Sequence, residues 1–78
     1  MPDKETELVH LAEADRHIDE AERHIVDLEE LIADASARGQ DTRLAAATLV
    51  TMRETLDAFN VHRDVILRTL DDIENGRL

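Results

Sequence analysis

Along residues 11–35 the side chains Leu11, Ala14, Ile18, Ala21, Ile25, Leu28, Ile32 and Ala35 recur at strictly alternating intervals of three and four. On a helix of about 3.6 residues per turn this series forms one lengthwise stripe, the a/d seam along which one helix packs against another. On a strand the same series would scatter over both faces. Residues Ala45, Leu49, Met52, Leu56, Phe59, Arg63, Ile66, Leu70 and Ile73 repeat the spacing, with Arg63 the one charged member. The heptad is also visible as an internal repeat, Ala14-Asp15-Arg16-His17-Ile18 being echoed by Ala21-Glu22-Arg23-His24-Ile25. Two matched seams predict two helices of similar length.

Between the seams, Gly39 is able to end a helix in the left-handed conformation, and Asp41 is placed to cap the next one. Asn75-Gly76 supplies a second stop. The sequence therefore predicts a single hairpin over residues 1–78, with helix 1 over about 4–37, a turn at 38–41 and helix 2 over about 42–74. A connection this short makes the helices antiparallel. Partners should then have residue numbers summing to about 77. This sets Leu11 against Ile66, Ile18 against Phe59, Ala21 against Leu56, Ile25 against Met52, Leu28 against Leu49 and Ile32 against Ala45. With Leu70, these form the expected hairpin core. On one flank Glu22 should fall near Arg53 and Asp15 near Asn60. On the other, His17 should approach His62, His24 should approach Thr55 and Leu31 should approach Thr48. Arg63, opposite Ala14, should run its stem over the alanine and reach a carboxylate at the edge.

A lone hairpin buries only a narrow strip, and chains below about 70–80 residues seldom stabilise themselves on one small core. Apolar residues outside the seam, above all Val50, Val61 and Val65 on helix 2, form a second, weaker stripe. The expected fold is therefore all-α: an antiparallel two-helix coiled-coil hairpin dimerising into a four-helix bundle, with those three valines as the candidate dimer seam.

Charge narrows the function classes. Nineteen acidic against nine basic residues give a net charge of −10, which repels a phosphate backbone or an anionic membrane surface. Residues 1–39 carry net −8 and residues 40–78 net −2, so helix 1 holds most of the acidic surface. There is no cysteine, hence no disulfide or thiol nucleophile. The first residues show no basic region followed by an apolar run, and no stretch reaches the roughly 20 apolar residues that span a bilayer. The expectation is a cytoplasmic protein with neither nucleic acid nor membrane as partner.

Four histidines are the one group with chemical potential. His10, His17 and His24 stand about 10 Å apart along one edge of helix 1, too far to share an ion. Only His17 with His62 across the hairpin offers a metal or proton site. Neither a His-x-x-x-His pair nor a paired Glu-x-x-His set is present, so no metal and no cofactor are assigned. His62-Arg63-Asp64 spells a kinase catalytic triplet, yet it lies mid-helix in a chain too short for that fold. No catalytic residues are assigned and no enzymatic activity is expected.

The segments His24-Ile25, Leu31-Ile32, Arg38-Gly39-Gln40-Asp41-Thr42 and His62-Arg63-Asp64, with Met52, Leu56 and Ile66-Leu67, resemble a group of short bacterial proteins commonest in alphaproteobacteria. That resemblance implies a hairpin and a bacterial cytoplasm and carries no activity. The expected function is an interaction or assembly protein that offers an acidic face to a protein partner. The alternative is a small histidine-based metal or pH sensor using His17 and His62.

Overall fold

A computed structural model describes residues 3–77, leaving Met1, Pro2 and Leu78 outside the described residues. Two helices, α1 (Lys4–Ala37) and α2 (Arg43–Glu74), account for nearly all of it, and no strand occurs among the described residues. They pack side by side into a rod of 59 × 15 × 15 Å. No described helix is long and apolar enough to cross a membrane.

Both helices end by the same device. After α1, Gly39 takes φ +72°, its N–H bonds the Ser36 carbonyl, and the Gln40 N–H returns to the Ala35 carbonyl at 2.9 Å. After α2, Gly76 at φ +68° repeats this, with Gly76 donating to Ile73 and Arg77 to Asp72. Each pair satisfies carbonyls that the helix leaves without partners, and the left-handed conformation it needs favours glycine.

The starts differ. Asp3 caps α1, accepting from the Thr6 N–H and the Thr6 hydroxyl, each at 2.9 Å. The expected cap of α2 at Asp41 is displaced by one residue: Thr42 occupies the cap position, and its side chain makes no capping bond. Asp41 instead accepts from the Arg43 N–H at 3.0 Å and from the Arg43 guanidinium. The carboxylate still serves the first amide of α2, but its partnership with Arg43 holds it just outside the helix, which begins at 43 rather than 42.

The antiparallel register follows the seam. Lys4–Glu74 at 3.1 Å, Asp15–Arg63 at 2.5 Å and the His17–Phe59 ring contact join residues whose numbers sum to 76–78. Every seam residue is at least half-buried. Burial is shallow, however. Among the described residues only Ala14, Ala21, Ile66 and Leu70 are buried. Leu11, Ile18, Ile25, Leu28, Ile32, Leu49, Met52, Leu56 and Phe59 face the opposite helix as expected but remain half-exposed. Two helices enclose only the line between them, and most large side chains on that line keep one flank in solvent, Ile66 and Leu70 being the exceptions. The small alanines are covered because the facing residues close over them.

Candidate functional site

The two long edges of the rod are chemically unlike. One edge carries the cross-helix ion pairs: Arg63 Nε to Asp15, Arg53 to Glu29 at 3.6 Å and Lys4 to Glu74. Arg63 behaves as its seam position demands, passing Ala14 and meeting a carboxylate at the rim, which is Asp15. Arg53 does not pair with Glu22 as the register alone suggests. Helical side chains tilt toward their own N-terminus. Arg53 therefore leans toward the turn while Glu29 leans away from it, so the two converge and Glu22 is carried off.

On the opposite edge the two flanking lines hold histidine, leucine and threonine, with the carboxylates Glu20 and Asp27 beside them. α1 contributes His10, His17, His24 and Leu31, and α2 contributes Thr48, Thr55, His62 and Thr69. Between them the seam stays open. A shallow concavity of about 210 Å³ is lined by His17, Glu20, Ala21, His24, Met52, Thr55 and Phe59. A second, of about 340 Å³, continues toward the turn along His24, Asp27, Leu28, Leu31, Thr48 and Met52. These grooves expose the flanks of residues that a thicker bundle would bury.

The histidines do not assemble into a site. His17 lies over Phe59, with ring centroids 5.5 Å apart and a tilt of 32°. His62, expected to approach it, is exposed and lines neither concavity. His10 Nδ1 stands 3.7 Å from Glu7. Among the described residues no three His, Asp or Glu side chains gather as metal ligands would. His24 does meet the same groove as Thr55, and Leu31 the same groove as Thr48, as the register predicts.

α1 carries a further line on its outer side. Glu13, Glu20, Asp27 and Asp34 stand one heptad apart and are exposed. The arginines of α1 are engaged along their own helix: Arg16 with Glu20 at 4.0 Å, Arg23 with Asp19, and Arg38 with Asp34 at 3.2 Å. Hydrogen bonding shifts ionisation at the ends of the elements. Thr6, through its amide first and its hydroxyl second, holds the Asp3 carboxyl below its usual range. The Arg43 guanidinium, helped by the Arg43 amide, does the same for Asp41, while Asp41 in turn raises Arg43. Arg77 is raised by Asp72 and Asp71. These shifts belong to caps and turns.

The valines expected to form a dimer seam, Val50, Val61 and Val65, are all exposed and lie within an arc of about 60° on α2. Charged residues interrupt that arc: Val50 shares its heptad line with Asp57, Asp64 and Asp71, and Val61 shares its line with Glu54 and Arg68. Val65 lies on a line with Leu44, Thr51 and Ala58 that is uncharged until Asp72.

Comparison with protein-family models, with curated proteins and with solved structures finds no match to the chain.

Proposed function

We propose that this chain is a small interaction or assembly protein, a homodimeric helical bundle that presents the acidic face of α1 to a protein partner. The observation that carries the reading is the partition of charge over a rod. The carboxylates Glu13, Glu20, Asp27 and Asp34 form an exposed line repeating at about 10 Å. A basic surface with a similar repeat, such as a helix with Lys or Arg in every heptad, would complement that line.

Surface area supports the homodimer. The chain exposes 5688 Å². A compact monomer of its 8.8 kDa mass would expose about 4,800 Å². The excess, about 900 Å², is close to the roughly 800 Å² that each partner buries in a standard interface. The histidine-sensor alternative draws no comparable support from the described residues, whose carboxylates and imidazoles do not converge.

Sedimentation of the wild type tests the assembly, with a mass of twice 8.8 kDa expected. The acidic face is tested with the triple variant Glu13→Gln, Glu20→Gln, Asp27→Asn as bait beside the wild type. A partner held by the wild type at low salt and lost by the variant is the expected result. Equal retention of that partner by both baits would remove the acidic face from the reading.

A further inference from the structure

The homodimer proposed above leaves open which face meets the second copy. We infer that it is the face of α2 running from Leu44 to Thr69, packed antiparallel on the same face of the second copy. The inference rests on the homodimer reading.

Taken every third or fourth residue, this face repeats the interval of a heptad seam, turned by about 100° from the seam that holds α1. An angle near a right angle is what a four-helix bundle asks of a helix with two neighbours. No Asp, Glu, Lys or Arg occurs on it from Leu44 to Thr69, and His62 is its one titratable residue, in a chain of net charge −10. Like charges facing each other across a twofold axis would oppose association. A strongly acidic chain therefore pairs with itself through a surface that omits charge.

The threonines decide the character of this face. The hydroxyls of Thr48, Thr51, Thr55 and Thr69 donate to the carbonyls of Leu44, Ala47, Thr51 and Val65, four residues back, at 3.0, 3.3, 2.9 and 3.0 Å. With its donor occupied inside the helix, each threonine presents chiefly its methyl group outward. Four such methyls, with Ala58, Val65 and the 83 % exposed Leu44, make a small-residue apolar surface without a stranded hydroxyl proton. The open grooves beside Thr48 and Thr55 adjoin this face, so a second α2 would cover Met52 and Phe59 from the α2 side and leave Glu20 and Asp27, which line the α1 side of the same grooves, in solvent.

Antiparallel packing about a twofold axis fixes the partners. Leu44 meets Thr69 of the second copy, Thr48 meets Val65, Thr51 meets His62 and Thr55 meets Ala58, the numbers summing to 113 in each layer. Leu44 and His62 each face a smaller threonine, while Thr48 with Val65 and Thr55 with Ala58 are small on both sides and let the helices approach closely. Val50 and Val61 fall outside this contact.

Sedimentation of three proteins at about 50 µM, with circular dichroism of each, tests the assignment. The expected result is a dimeric wild type, a helical but monomeric Ala58→Glu, and a dimeric Val50→Glu. Ala58 is exposed in the single hairpin, so a carboxylate there disturbs nothing within one chain. A monomeric wild type would overturn the homodimer itself. A dimeric wild type with Ala58→Glu also dimeric would overturn this face and leave the homodimer standing. The register is read from cross-linking, since the chain has no cysteine of its own. Leu44→Cys with Thr69→Cys should give a covalent dimer on mild oxidation, because the two positions lie about 37 Å apart within one helix. Leu44→Cys alone should not. Cross-linking by the single variant would mean a parallel contact and would overturn the inference.

Discussion

Replacing Arg63 by leucine should stabilise the protein, although it removes a cross-helix ion pair. Arg63 holds the one charged position of the inner seam, opposite the buried Ala14, and its Nε donates to Asp15 at 2.5 Å. The side chains of the pair remain 36 % and 51 % exposed, so solvent screens their attraction and the pair is worth about 0–1 kcal/mol. The register sets the arginine stem against Ala14, so leucine gains only the difference between a stem and a full apolar side chain, about 1–2 kcal/mol at partial burial. A leucine there would also repeat the small-against-large layer of Ala21 with Leu56. The net expectation is a gain of about 0.5–1.5 kcal/mol, or a few degrees in Tm for a chain of this size. Arg63→Ala should lose about 1 kcal/mol, because it removes the stem as well as the charge. Thermal unfolding of Arg63→Leu, Arg63→Ala and Asp15→Asn at one fixed protein concentration provides the assay, since association shifts apparent stability. Destabilisation by Arg63→Leu that Asp15→Asn matches would show the ion pair to be the stronger force and refute the reasoning.

Ala21 is buried at the floor of the groove beside His17, where a larger side chain must displace the facing residues, whereas Ala12 lies on the exposed back of α1. Ala21→Leu should therefore cost about 1–3 kcal/mol and Ala12→Leu almost nothing, and equal melting temperatures would contradict the seam. At Gly39 a Cβ would touch nothing within 4 Å, but φ is +72°, so Gly39→Ala should cost about 1–2 kcal/mol through backbone strain alone. Gly39→Asn should cost less, and equal losses for the two would point to a cause other than the left-handed conformation. The Asp3 carboxyl is lowered by its bonds to Thr6, so its cap is at full strength above about pH 4 and is lost as the pH falls through the lowered value. A carboxyl-carbon NMR titration should place its midpoint below the ordinary aspartate value, and a midpoint at or above that value would dismiss the cap.

Helix positions and register were legible because they rest on period and punctuation. The 3-4 spacing names the residues that turn toward the other helix, and Gly39 and Gly76 stop the chain where only a left-handed residue completes the bonding. The depth of burial was not legible. Spacing says which way Ile18 or Leu49 points, and only the number of helices around the seam says how well it is covered. The partner of Arg53 was missed for a related reason. Register gives a position along the rod, and the tilt of each side chain toward its own N-terminus moves the contact from Glu22 to Glu29. Register sets Ile18 against Phe59, and the imidazole of the neighbouring His17 lies over the same ring, a contact that spacing alone does not name.

The face of α2 escaped a reading by hydropathy because threonine is scored there as a polar residue, whatever its surroundings. In a helix its hydroxyl has a ready acceptor in the carbonyl four residues back, and once that bond is made the outward surface is largely the methyl group. Thr48, Thr51, Thr55 and Thr69 all make that bond. A hydropathy scale thus ranks Val50 and Val61 above them. Yet each of those valines stands in a line with charged side chains, and a second helix laid along that line would have to desolvate them. For a helix in a chain of this charge, the absence of Asp, Glu, Lys and Arg over about 37 Å is therefore a stronger sign of a packing face than the presence of two or three valines.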